Sequence, residues 1–314
     1  LLNKADLADK QELKLFIEKI KASTKRKLKS FFTIPVIISM LILLGILFMA
    51  LFAKKIAPYD PNALDLAHML EGPSLLHLLG TDKTGRDLLS RLIIGSQATI
   101  LSAFGVVLIS AVIGIPFGML AGYYGKWVDM ILMRVSDIIL AFPSLLLAFI
   151  FVSAFGRGIF NSVLALGIVY VPMLAKLTRS MVMVEKNKVY VEASHSIGYS
   201  NLNIMVKQIL PNCVGTLIVQ MTLDIGYAIL DLAGLSFLGL GVQPPTADWG
   251  AMLEDGRIVI TSAPLVSIAP GIMIIITVVA LNIFSDGVRS YLDPSQRKLP
   301  SMRKFRKMVG AENE

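Results

Sequence analysis

The chain has 314 residues, of which 55% are hydrophobic and only 17% are charged. Soluble domains average about 45–50% apolar and about 25% charged residues, so this composition excludes an ordinary soluble domain. The net charge of +8 would suggest nucleic-acid binding in a soluble chain. Here the basic residues flank long apolar runs, which is the pattern of membrane topology rather than of a nucleic-acid partner.

Residue types that carry metal or nucleotide chemistry are sparse. The one cysteine, Cys213, permits neither an internal disulfide nor a cysteine-based metal cluster. The only Gly-Lys step precedes Trp127, so no phosphate-binding loop is present. The histidines lack the spacing of metal ligands; they are His68, His77 and His195. The chain is therefore predicted to hold no metal, cofactor or ATP with its own residues, and the clustered groups of a membrane enzyme are missing.

The amino-terminal segment, residues 1–33, is polar and basic. Its apolar residues recur at helical spacing and predict an amphipathic helix; they are Leu13, Phe16, Ile17 and Ile20. Two interpretations stay open. The helix lies on an anionic leaflet on the cytoplasmic side, or it is a solvated helix or a contact for a partner.

Six apolar runs are long enough to cross a bilayer. These predicted spans are 34–53, 92–124, 130–155, 159–175, 213–240 and 265–284. A short turn, 126–129, separates the second span from the third, and Arg134 and Asp137 within the third are close enough on a helix to pair. Prolines occur in four spans, where each can kink its helix; they are Pro116, Pro143, Pro172 and Pro270. The fold class is therefore an all-α polytopic membrane protein with six transmembrane helices.

The segments between the spans give the domain organisation and the orientation. An outer loop, 54–91, precedes a core of five spans, 92–287, which contains a hydrophilic segment, 176–212, and is followed by a basic tail, 288–314. Six spans put both termini on one side. That side carries 22 Lys and Arg residues against seven on the other. The asymmetry predicts that both termini and the hydrophilic segment are cytoplasmic and that the outer loop is extracellular.

The hydrophilic segment contains the most informative motif. It reads Glu192-Ala193-Ser194, three residues, Gly198, nine residues, then Gln208-Ile209-Leu210-Pro211. Gly198 can end one helix and allow another, and a proline is tolerated where a span begins. The pattern resembles the EAA loop of the membrane-spanning subunits of ABC importers. Two positions depart from that family's pattern: Ser194 replaces the second alanine, and Gln208 stands where many members have isoleucine.

This resemblance implies a function for the segment. In the family the loop forms a short cytoplasmic helix that docks in a groove of the ATPase subunit and transmits the force of ATP binding. The residues to which this coupling role carries over are Glu192, Ala193, Ser194, Gly198, Leu210 and Pro211.

Three further stretches strengthen the resemblance. The outer loop reads Leu79-Gly80-Thr81-Asp82-x2-Gly85-Arg86-Asp87, similar to peptide- and nickel-type permeases. As a plain structural feature, Thr81 or Asp82 is placed to cap the following helix. Residues 235–250, with Asp248-Trp249-Gly250, and residues 282–294 are similar to the "C" permeases of dipeptide and oligopeptide systems.

The resemblance also implies the other subunits of the transporter. It predicts a type I-like permease fold, a homologous "B" permease, an extracellular substrate-binding protein and two cytoplasmic ATPase subunits that bind ATP and magnesium. The chain would then be a non-catalytic, multi-pass subunit in the plasma membrane of a prokaryote, and the substrate would be a dipeptide or oligopeptide. Uptake of nickel or a metal chelate is the nearest alternative, since those permeases share the motifs.

Two acids lie within the fifth predicted span. Asp224 and Asp231 are seven residues apart and share one helix face. An acid in the bilayer normally faces a bundle interior or water. Contact with the pathway or a peptide amino terminus, and a hydrogen bond to the partner permease, both stay open. An ion-coupled secondary transporter would use the two acids as proton relays, but it also predicts internal repeats, and no convincing repeat is found.

Overall fold

A computed structural model describes residues 32–292. The helix predicted for the amino-terminal segment and most of the basic tail lie outside this range. The helices are α1 (Ile34–Leu51), α2 (Ala53–Ile56), α3 (Leu88–Tyr124), α4 (Lys126–Leu140), α5 (Ser144–Phe155), α6 (Ile159–Glu185), α7 (Val189–Ser196), α8 (Asn201–Ile204), α9 (Leu210–Phe237), α10 (Trp249–Ile258) and α11 (Leu265–Leu292).

The chain divides into two compact units. The described part of the first comprises residues 32–37 and 286–292, where Val36 packs against the backbone of Gly287. The second comprises residues 38–285 and contains the candidate site.

Five helices of the described chain are long and apolar enough to cross a membrane. They are α1, α3, α6, the continuous helical path 201–237 and α11. Helices α4 and α5 form a sixth span if they are counted together, although they are bent by 87°. The architecture is all-helical across residues 32–292, as predicted.

The third predicted span, 130–155, is wrong as a single helix. Pro143 immediately precedes α5 in extended backbone, with φ of −57° and ψ of 130°. A proline has no backbone N–H and disfavours helical backbone in the residue before it, so the chain turns here. The predicted turn at 126–129 is also wrong. The break lies at Gly125, whose φ is +64°, and α4 already begins at Lys126.

Helices α3 and α6 approach closely along a row of glycines. A Cβ atom on Gly114 would lie 2.9 Å from the carbonyl oxygen of Val171, and one on Gly122 would lie 2.8 Å from that of Arg179. Between them, a Cβ on Gly118 would lie 2.5 Å from Cβ of Thr178. Small residues let helix backbones approach in this way inside a membrane.

Replacing the central glycine should loosen this helix pair. We expect Gly118→Ala to lower the unfolding free energy by about 1–3 kcal/mol, the usual cost of overpacking. The measurement is the melting temperature of the detergent-solubilised protein. Gly45→Ala is the matched control, because a Cβ there meets nothing within 4 Å. Equal melting temperatures for the two variants would contradict the close approach.

Two hydrophobic cores position the candidate site. One gathers around Trp249 and Leu235, where α3 begins and α9 ends. The other includes Val191, Ile204 and Ile209 and lies beneath the segment that follows α6. Both ends of the helical bundle are therefore held by packed side chains.

Candidate functional site

The segment between α6 and α9 folds into two short helices around a bend. Helix α7 ends at Ser196, and Gly198 follows with φ of +83°. Helix α8 then begins at Asn201, where the side chain of Ser200 accepts a hydrogen bond from the Asn203 N–H. Positive φ strongly favours glycine. Because a Cβ on Gly198 would meet nothing within 4 Å, the requirement at this position is one of backbone conformation alone.

The two residues that depart from the family pattern contact each other. Oγ of Ser194 lies 2.5 Å from Oε1 of Gln208. Ser194 is buried and Gln208 is half-buried, so this hydrogen bond joins α7 to the start of the fifth span. The polar pair holds the two arms of the bend together.

A double-mutant cycle should reveal the interaction between Ser194 and Gln208. Ser194→Ala leaves the Gln208 amide without its partner and should cost about 1 kcal/mol. Adding Gln208→Ile removes the orphaned group, so the double variant should recover most of the loss. Melting temperatures of the four proteins in detergent provide the measurement. Strictly additive effects would mean that the two side chains do not interact.

The end of α3 is tied to the same bend. The Tyr123 hydroxyl lies 2.9 Å from Oδ1 of Asn201 and 3.0 Å from Nε2 of His195. Nζ of Lys186 donates to the Tyr123 carbonyl at 3.3 Å. These groups border an open pocket of about 250 Å³, lined by Tyr123, Lys186, Asn187, Val191, His195 and Asn201. These contacts could not be predicted from the sequence, because no spacing connects Tyr123 to residues more than sixty positions later.

The join between α8 and α9 is a wider turn of π-helix, Met205–Ile209. The Leu210 N–H bonds to the carbonyl of Met205, and Pro211, which has no N–H, lies in the first turn of α9. A proline cannot donate a backbone hydrogen bond within a helix, and a π-helical turn commonly accompanies such an interruption of the hydrogen-bond pattern. The helical path therefore runs unbroken from Asn201, before the predicted start of the fifth span at Cys213.

Helix α4 is bound to α6 by two ion pairs. Asp129 accepts two hydrogen bonds from the guanidinium of Arg179, in the fork geometry that strengthens such pairs. Asp137 lies 2.6 Å from Nζ of Lys176. The predicted pairing of Asp137 with Arg134 is therefore wrong, because α4 packs beside α6 and directs this carboxylate toward a neighbouring helix.

The outer-loop motif is built around a buried carboxylate. Oδ1 of Asp82 accepts hydrogen bonds from the backbone N–H groups of Thr84 and Arg86, and Oδ2 accepts one from Nε of Arg86 at 2.7 Å. Burial raises the pKa of Asp82, but the hydrogen bonds from Thr84 and the charge of Arg86 outweigh it, so this pKa lies below its usual value. Gly80 and Gly85 supply the positive φ that the tight loop needs.

The residue that caps α3 is Asp87, and neither Thr81 nor Asp82 does so. Oδ2 of Asp87 accepts a hydrogen bond from the Ser90 N–H at 2.7 Å, while Oδ1 lies 2.9 Å from Nδ1 of His77. The expected cap was wrong because the helix begins only at Leu88. Thr81 instead ties the loop to itself, donating to the His68 carbonyl and accepting from the Glu71 N–H.

An acid on α10 anchors the same loop. Asp255 lies 2.6 Å from Nζ of Lys83 and 3.5 Å from Nη2 of Arg86. Arg91 adds a contact to Asp82 at 3.4 Å. The motif is thus part of an ionic cluster that fastens the outer loop to α10. No spacing in the sequence connects Asp255 to this motif.

Removing the central carboxylate should destabilise this cluster. Asp82→Asn leaves Asp255 as the remaining carboxylate beside Arg86 and Arg91, and it should lower the unfolding free energy by about 2 kcal/mol. Since the folded-state pKa is depressed, the contribution of Asp82 is complete above its usual pKa of 3.8 and is lost as the pH falls through the lower folded value.

Melting temperatures at pH 7 and below pH 4 test this sign. The difference in melting temperature between the parent and Asp82→Asn should be smaller in acid. Asp60→Asn, an exposed acid of the same loop, is the control and should leave the melting temperature unchanged. A difference that stays constant with pH would contradict the assignment.

The two acids of the fifth span have different surroundings. Asp224 is 3% exposed and accepts a hydrogen bond from Nε2 of Gln220 at 2.8 Å. Asp231 is half-buried, and its Oδ2 accepts one from the hydroxyl of Tyr170 on α6 at 3.0 Å. Tyr170 was not singled out from the sequence. Within residues 32–292, no three His, Cys, Asp or Glu side chains converge as a metal site.

Comparison with known families defines the class of protein. Residues 114–298 match the family described as binding-protein-dependent transport system inner membrane component. Residues 35–73 match the N-terminal TM domain of oligopeptide transport permease C. The chain belongs to this family of ABC importer permeases and is a multi-pass inner-membrane protein. Membership argues against an ion-coupled secondary transporter.

Individual relatives carry the similarity along most of the chain. The di/tripeptide transport system permease protein DppC of Pseudomonas aeruginosa (strain UCBPP-PA14) is 47% identical over 261 residues, 81% of this chain and 86% of the relative. The glutathione transport system permease protein GsiD of Escherichia coli O157:H7 is 42% identical over 246 residues, 78% of this chain and 81% of the relative.

A solved structure shares the fold. An inward-facing form of the MetNI methionine ABC transporter matches with a TM-score of 0.54 at 17% identity, over 65% of this chain and 97% of that chain. The similarity agrees with the type I-like permease fold predicted from the sequence.

Proposed function

We propose that this chain is one of two permease subunits of an ATP-driven importer of dipeptides or oligopeptides. The observation that carries the proposal is the 47% identity, over four fifths of the chain, to a permease named for di- and tripeptides. The 42% identity to a glutathione permease points to the same chemistry, since glutathione is a small peptide. A homologous second permease, an extracellular binding protein and two cytoplasmic ATPases would complete the transporter.

Uptake by the reconstituted complex tests this function. Proteoliposomes that hold both permeases and the ATPases, supplied with the binding protein, should accumulate a labelled dipeptide only when ATP and magnesium are present. A proton gradient without ATP should not drive uptake of the dipeptide. Uptake of a nickel chelate without uptake of any peptide would overturn the peptide assignment and favour the metal-chelate alternative.

The bend at Gly198 supports a coupling role for α7. Large apolar side chains on either side of it face outward, including Val189, Ile197 and Leu202, and Val189 is 81% exposed. Apolar surface of this kind on a segment outside the membrane marks a protein contact. We assign it to a groove of the ATPase, with Glu192, Ala193 and Ser194 on the docking helix and Leu210 and Pro211 leading into the span. ATP and magnesium would be bound by the ATPase, and this chain would not be catalytic.

The orientation should be visible by thiol labelling. In a Cys213→Ala background, a cysteine at Leu75 should react with an impermeant reagent in spheroplasts, and one at Leu202 only after lysis. Both side chains are well exposed, so accessibility would report the side of the membrane. The expectation follows from the basic asymmetry that places both termini in the cytoplasm. The reverse pattern would contradict it.

A further inference from the structure

One face of α9 gathers polar groups that residues 32–292 leave partly uncovered. Thr216, Gln220, Tyr227 and Asp231 follow one another at intervals of four or seven residues, so they share a helix face. Thr216 and Tyr227 are exposed, Tyr227 by 52%, while Gln220 and Asp231 are half-buried. An adjoining side of the helix is apolar and packed into the bundle, with Leu217, Ile229, Leu232 and Leu235 buried. We call the first surface the open polar face.

Only one of the two acids in this span is available to a ligand. Asp224 is almost completely buried beside Gln220. Asp231 has one oxygen held by Tyr170, and among the described residues its Oδ1 receives no hydrogen bond. Every buried side-chain polar atom in that range has a partner, so the unpartnered Oδ1 lies at the accessible surface.

We propose that Asp231 is a subsite for the terminal ammonium group of a peptide crossing the membrane. This inference rests on the proposed peptide function. A carboxylate with one free oxygen complements a single cation that donates hydrogen bonds. Tyr227, one turn earlier on the same face, adds an aromatic surface that attracts cations. A bare divalent metal would need several oxygen ligands, and of the two acids on α9 only Asp231 reaches this surface. Tyr170 is a positioning residue, because its hydroxyl fixes the carboxylate.

Transport by the complete reconstituted complex provides the test. At saturating dipeptide and binding protein, Asp231→Asn should lower uptake per ATP hydrolysed about tenfold, which corresponds to about 1.4 kcal/mol. Complex yield and melting temperature should stay at the parent values, and Asp231→Glu should restore most of the uptake. Tyr170→Phe should have a smaller effect in the same direction. Ile218→Ala, on a different exposed face of α9, is the control and should transport like the parent.

The outcomes separate the inference from the proposed function. If the parent complex transports no peptide, the proposed function fails. If the parent transports peptide and Asp231→Asn matches it, the subsite is wrong. A loss of complex yield or melting temperature in Asp231→Asn, without rescue by glutamate, would also overturn the subsite and assign Asp231 to the contact with the second permease.

Discussion

Gly198→Pro should abolish peptide uptake while the permease still inserts and assembles. Proline fixes φ near −65°, whereas the native φ at this position is +83°. The substitution therefore changes the angle between α7 and α8, and the proposed docking helix would no longer meet its groove. Uptake and substrate-stimulated ATP hydrolysis should both fall to background, which is measured in proteoliposomes alongside the yield of the purified complex.

Two other substitutions at the same position make this experiment specific. Gly198→Asn should retain most of the activity, because asparagine tolerates positive φ, and no atom lies within 4 Å of the added Cβ. Gly198→Ala should be intermediate, since only the conformational preference changes. Equal activity of the proline and asparagine variants would refute the idea that the angle of this bend carries the coupling.

Local patterns predicted much of the molecule. Apolar runs located the helices because span length is set by bilayer thickness. The glycine at 198 predicted a bend because its freedom is a local property. The partners of the motif residues could not be read in this way. Asp255 joins the outer loop, and Tyr170 joins Asp231, only because the fold brings distant helices together.

The broken third span shows a different limit of sequence reasoning. The sequence predicts a possible kink at Pro143 and equally at three other prolines. Pro116, Pro172 and Pro270 all lie inside continuous helices, whereas the chain at Pro143 turns by 87°. Neighbouring helices can compensate a missing N–H inside a membrane protein. Whether a proline bends the chain is therefore decided by packing, which one sequence does not reveal.

Asp248→Ala should prevent the folded protein from accumulating. Asp248 is 5% exposed and caps α10, where it accepts hydrogen bonds from Oγ1 of Thr99 at 2.6 Å and from the N–H groups of Gly250 and Ala251. The completely buried Trp249 follows. Each buried donor left without an acceptor costs about 1–3 kcal/mol. Thr99 and Gly250 are buried and Ala251 is half-buried, so the total approaches the lower end of the stability of a typical domain. The yield of membrane-inserted protein is the measurement.

Asp248→Asn separates the hydrogen bonds from the charge. Burial raises the pKa of Asp248, against the lowering effect of its hydrogen bonds. The folded protein therefore binds this proton more tightly than the unfolded chain, and the stability due to Asp248 falls as the pH rises from its usual pKa through the folded one. Asparagine keeps an acceptor oxygen and cannot ionise. The melting temperature of the Asp248→Asn variant, relative to that of the parent, should therefore rise with pH. An alanine variant that folds in normal yield would show that the carboxylate does not hold α3 and α10 together.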